Sequence, residues 1–187
     1  METDDPVLKT EHQVLFGGII ALFARIEYQM QMAFAGLLQI DFVAASIMTT
    51  DSHYSQKRNT LKSLNNVIGI DGHVSAELND ILDDLHKISK LRNFIAHALW
   101  TSGKRPDSIK PMGILGIRSG KPKHMGSHHN ERDYTIGELQ EAADDLRQLS
   151  RRFAKFLSES GLKARAEAMN ETTKFVTSSS PGIPPSK

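Results

Sequence analysis

The sequence predicts an all-α fold: a bundle of about four main helices, with a small β or irregular insertion before the last long helix. Three observations carry this. Apolar residues recur at steps of three and four along most of the chain. The stretch from Thr101 to Arg132 loses that period and collects Gly103, Pro106, Pro111, Gly120 and Pro122. Thr135-Ile136-Gly137-Glu138 then opens a new helix as a capping box, the Thr hydroxyl taking the N3 amide and the Glu carboxylate reaching back.

The first helix is expected over about Thr10 to Ala45. Leu15, Ile19, Ile20, Phe23, Ile26, Met30, Phe34, Leu37 and Leu38 give it one wide apolar face. Val14 to Ala24 is apolar nearly all round, which predicts a central helix or one shared with another subunit. Gly17-Gly18 allows close helix contact or a break. Asp51 or Ser52 can cap a second helix carrying Leu61, Leu64, Val67 and Ile68, with Gly69 as its stop and Asp71-Gly72 as a turn. A third helix runs from about His73 to the mid-nineties on the stripe Leu78, Ile81, Leu82, Leu85 and Ile88.

In the insertion, placed at 104–134, Ile109 to Arg118 and Arg132 to Ile136 suit short strands. The last long helix carries Leu139, Ala143, Leu146, Leu149, Phe153, Phe156 and Leu157 on its apolar side. The helical domain is placed at 8–160, a short further helix at 161–176 after Gly161, and a disordered Ser/Pro-rich tail at 177–187.

The chain has 187 residues, 23 Lys+Arg against 22 Asp+Glu, and no cysteine. The near-balance argues against a polycation that binds nucleic acid by bulk charge, so any such binding must be local. Disulfides, thiolate metal sites and cysteine nucleophiles are excluded. Met1 to Pro6 is acidic, unlike a secretory or mitochondrial presequence, and the apolar run Val14–Ala24 is about half a membrane span. The expectation is a cytoplasmic protein with no membrane partner.

The third helix changes character at its end, in Ser89-Lys90-Leu91-Arg92-Asn93-Phe94-Ile95-Ala96-His97. At about 100° per residue Arg92 falls on the centre of the apolar stripe, where a guanidinium is costly unless paired or facing a wet cleft. Asn93 and His97 share a face, whereas Arg92 and His97 lie roughly 140° apart. The two can grip one small group if the helix ends or bends there, or if a second copy supplies the other half.

Arg92-Asn93-Phe94-Ile95-Ala96-His97 resembles the R-x4-6-H motif of HEPN-domain proteins, including the polar residue after the Arg and the small residue before the His. Arg118 and His124 share the bare spacing, but Ser119-Gly120-Lys121-Pro122-Lys123 between them cannot be helical. The resemblance implies a compact bundle of about four helices, covering about Thr10 to Glu159, with the motif late in the third long helix. It implies a metal-independent endoribonuclease acting as a homodimer and leaving 2′,3′-cyclic phosphates. A toxin or phage-defence effector is one such role, with an antitoxin or inhibitor as a further partner. Other members are non-catalytic interaction or binding modules, so a HEPN-like or antitoxin-like module binding a protein or nucleic acid is the alternative.

The residue chemistry suits RNA cleavage without a metal or cofactor. Histidine titrates near neutrality and can move the protons, so His97 is assigned proton transfer. Arginine offers a planar fork to phosphate oxygens, so Arg92 is assigned the phosphate and Asn93 the orientation of His97. The competing structural reading has Asn93 and His97 capping the helix and Arg92 paired with Glu27 on the first helix. From Lys104 to Arg132, the cations Lys104, Arg105, Lys110, Arg118, Lys121, Lys123 and Arg132 stand against only Asp107 and Glu131. That segment is either an RNA-backbone contact beside the cleft or a solvated loop. His124, His128 and His129 lack Cys partners and a helical frame, and no metal site is assigned.

Overall fold

The computed structural model describes residues 7–68, 71–112, 114–118, 121–125 and 132–178, with the strands at 114–118 and 121–125 described as backbone. The expected acidic start, His128, His129 and the tail beyond Ser178 lie outside the described residues. The architecture is predominantly helical. The helices are α1 Thr10–Leu38, α2 Phe42–Thr49, α3 Tyr54–Ile68, α4 Gly72–His97, α5 Ile136–Glu159 and α6 Leu162–Ser178. The strands β1 Leu99–Ser102, β2 Ser108–Met112, β3 Ile114–Arg118, β4 Lys121–Met125 and β5 Tyr134–Thr135 fall between α4 and α5. Two compact units divide the chain: 1–25 with 84–150, and 26–83 with 151–187.

In the second unit, α1 ends earlier than its apolar pattern predicts. Gln39 adopts a left-handed conformation, φ 53°, and the Ile40 amide donates to Ala35 O at 3.1 Å, closing a Schellman-type end. Asp41 then caps a separate α2, its Oδ1 accepting from the amides of Val43 at 2.6 Å and Ala44 at 3.3 Å. Periodicity could not distinguish one long helix from two here, because Phe42–Met48 is apolar in either case. No single helix among the described residues is long and apolar enough to cross a membrane; α1 and α2 pass such a test together, with a 117° bend between them.

The cap of α3 is neither Asp51 nor Ser52. Ser52 belongs to the turn closing α2, with its amide on Thr49 O. The Gln56 side chain reaches back to the His53 amide at 3.0 Å, one half of a capping box. Leu61 is buried, but Val67 is 82% exposed and Ile68 40%. Lys57 and Asn65 occupy buried positions on this helix instead. Asp71, read as a turn residue, caps α4 through Oδ1 on the His73 amide at 2.9 Å.

Gly17-Gly18 does not break α1, and among the described residues a Cβ on either would meet nothing within 4 Å. The close approach is at Gly36, where a Cβ would strike the backbone of Leu162 at the start of α6. Along the apolar run Val14–Ala24, Ile19 and Phe23 are in the core of this chain, while Val14 is 69% exposed. The apolar side of α5 matches expectation throughout, with all seven residues from Leu139 to Leu157 buried. Gly161 stops α5 at φ +72°.

In the first unit, β1, β2 and β5 form an antiparallel sheet in the order β1-β2-β5. Trp100 pairs across to Pro111, and Ile109 to Tyr134. The Trp100 ring lies 4.8 Å from Phe16 and 6.0 Å from Tyr134, giving this sheet an aromatic core with α1. The single strand expected over Ile109–Arg118 is two: β2 ends at Met112, and β3 pairs with β4 in a separate hairpin, Ile114↔Met125 to Arg118↔Lys121. The short strand β1 leaves no clear pattern in the sequence.

Candidate functional site

The helix α4 carries Arg92, Asn93 and His97 without a break; His97 is its last residue, and the Ala98 amide still donates to Phe94 O at 2.8 Å. The helix ends at His97 and is uninterrupted between Arg92 and that end. Five residues of regular helix hold them roughly 140° apart around the axis.

Arg92 is half-buried. Its guanidinium carbon lies 5.4 Å from the centroid of the Phe23 ring of α1, and Nη1 donates to Asn93 Oδ1 at 3.2 Å. A guanidinium is weakly hydrated and stacks on aromatic faces, so Phe23 lets a cation occupy the apolar stripe. The core continues past it through the buried Leu91 and Phe94. Asn93 and His97 are exposed. Glu27 accepts from Lys57 Nζ of α3 at 3.2 Å, a pairing that sequence spacing did not suggest.

The basic residues of the insertion divide into two groups. The Arg105 guanidinium is built into the fold: it meets Glu138 twice, at 3.1 and 2.7 Å, and also donates to Asp133 O. Asp133 Oδ2 in turn accepts from the amides of Lys104 and Arg105, and these bonds hold its carboxyl below the usual range. Lys104 is exposed and Lys110 half-buried on β2. Arg118, Lys121 and Lys123 lie on the β3–β4 hairpin, with Arg118 opposite Lys121 and Lys123 opposite Gly116.

Among the described residues no group of three or more His, Cys, Asp or Glu is placed to hold a metal ion. No family model, curated protein or solved structure matches this chain.

Proposed function

We propose that the chain is a metal-independent endoribonuclease of the HEPN type, acting as a homodimer. The observation that carries this reading is the uninterrupted α4. It presents Asn93 and His97 to solvent and holds Arg92 over Phe23 roughly 140° away, so each copy offers half a site. A two-fold axis at this helix end would set the Arg92 of each copy against the His97 of the other.

The chemistry follows from the groups. One His97 takes the proton of the ribose 2′-hydroxyl, whose oxygen attacks the adjacent phosphorus. The two Arg92 guanidiniums hold the phosphorane oxygens as charge builds on them. The second His97, protonated, donates to the departing 5′-oxygen. The products are a 2′,3′-cyclic phosphate and a 5′-hydroxyl. Lys104, Lys110 and the basic hairpin supply backbone contacts to RNA; Arg105 does not belong to this set, being engaged with Glu138. A toxin or phage-defence role, with a protein inhibitor, fits such an activity.

The test is incubation of the purified protein with mixed RNAs in EDTA, beside Arg92→Ala and His97→Ala. Cleavage lost in either variant supports the assignment, and equal activity in all three rejects it. A folded, dimeric wild type that cleaves no RNA favours a non-catalytic interaction module.

A further inference from the structure

We propose that a pocket formed by the end of α1, α2 and α3 binds a small, mainly apolar molecule carrying one neutral oxygen acceptor, of which a medium-chain alcohol is the simplest form. The pocket has a volume of about 240 Å³. That is the room of about eight waters and suits a ligand of similar heavy-atom count rather than a drug-sized one. Its apolar lining includes Phe34, Ala45, Met48 and Leu64, and its polar lining includes Thr49 and Lys57. Met48 is 65% exposed and marks the mouth, whereas Phe34, Ala45, Thr49 and Lys57 are buried.

The side chain of Lys57 is only 7% exposed, and it lines a pocket whose wall is mostly apolar. An ammonium carries three donors. One reaches Glu27 Oε2 at 3.2 Å, and the other two meet no acceptor among the described residues. Donors left open in a buried position cost free energy. The ion pair is also a poor way to hold α1 to α3, because apolar residues of the same volume would serve as well or better. A ligand oxygen at the buried end of the pocket would satisfy the ammonium while the carbon chain lies along Met48 and Leu64.

Charge decides the head group. Glu27 already balances Lys57, so a carboxylate would bring a second anion to one cation, in a site where water screens poorly. An alcohol oxygen accepts from the ammonium without that repulsion.

The experiment titrates heptan-1-ol and heptanoate into the isotope-labelled full-length protein and follows the backbone amides. Heptan-1-ol should give saturable shifts confined to Ala45, Met48, Thr49, Lys57 and Leu64. Leu64→Trp fills the pocket from a half-buried position and should abolish them. The charge-balanced double variant Glu27→Gln with Lys57→Met should bind heptan-1-ol about tenfold more weakly, the loss of one hydrogen bond to a charged group. Heptanoate should bind the wild type at least about tenfold more weakly than the alcohol. Absence of saturable shifts, or equal shifts in Leu64→Trp, overturns the site. Equal affinity for the two ligands overturns the neutral head group even if the double variant does not fold.

Discussion

Arg105 and Glu138 meet in a two-pronged ion pair, with Nη1 3.1 Å from Oε1 and Nη2 2.7 Å from Oε2. Glu138 Oε2 also accepts from the Thr135 amide at 2.8 Å, and Thr135 Oγ1 accepts from the Glu138 amide at 3.2 Å. The capping box that starts α5 therefore also anchors the insertion through its first loop.

Removal of this carboxylate should cost more than removal of its charge. Glu138→Ala loses the return half of the capping box and should destabilise by about 1 kcal/mol in chemical denaturation. Glu138→Gln keeps a capping acceptor and should cost less, since ion pairs this open to solvent contribute little. Arg105, and then the Thr135 amide, hold the Glu138 carboxyl at about 2 against an ordinary 4.5. Between those values the native state binds fewer protons than the unfolded one. The stabilisation is complete above the ordinary value and is lost as pH falls towards the lower one. The gap between wild type and Glu138→Gln should close across that window; a constant gap would count against the pairing.

His12 should make the start of α1 sensitive to mild acid. It is buried, and its Nδ1 accepts from the Lys9 amide at 3.1 Å, so the ring proton sits on Nε2. Burial, and then the Lys9 charge, lower its pKa from 6.5, opposed by Glu11 and Asp107. The native state prefers the neutral ring. Stability is therefore full above the ordinary value of 6.5 and falls as pH drops through the lowered native one. His12→Gln keeps an acceptor for the Lys9 amide and should flatten this part of the stability profile, measured by thermal unfolding across mildly acidic pH.

The glycines of α1 should respond in opposite directions. Gly17→Ala and Gly18→Ala meet open space and should each stabilise by about 0.5–1 kcal/mol. Gly36→Ala would drive a methyl into the Leu162 backbone and should cost about 1–3 kcal/mol. Gln39→Gly, at a left-handed position, should stabilise by up to about 1 kcal/mol. Denaturant midpoints compared across these four variants give the signs directly.

In the proposed ribonuclease site, the ring under Arg92 matters for rate as well as for packing. Phe23→Leu keeps an apolar core side chain but removes the aromatic face beneath the guanidinium. RNA cleavage should fall at least about tenfold in Phe23→Leu and in Arg92→Lys, which loses the planar fork. Initial rates at matched folded fractions make the comparison, and unchanged rates in both would remove Phe23 from the site.

Several features were legible in the chain because they depend on neighbours in sequence. The buried side of α5 follows from its 3.6-residue period, and its start from the Thr135–Glu138 box. Gly161 marks its end. The core stripe of α4, and the conflict that Arg92 creates within it, also follow from spacing alone. Where two local solutions are equally good, local sequence does not choose between them. The apolar run around Phe42 suits a continued α1 as well as a new α2, and Ser52 looks as much like a cap as it does a turn residue.

What sequence by itself determined is therefore the helical class, the apolar faces and the isolated polar cluster Arg92, Asn93 and His97, since each rests on contacts within a few residues. Tertiary structure alone decided that Lys57 answers Glu27, that Arg105 is held by Glu138 rather than left open, that Phe23 carries Arg92, and that Gly36 is where helices touch. Each of these joins residues about 30 or more positions apart, or in the case of Gly36 two helices at opposite ends of the chain. Charge count and periodicity carry no information about such pairings, because a side chain's partner is set by where the folded backbone delivers it.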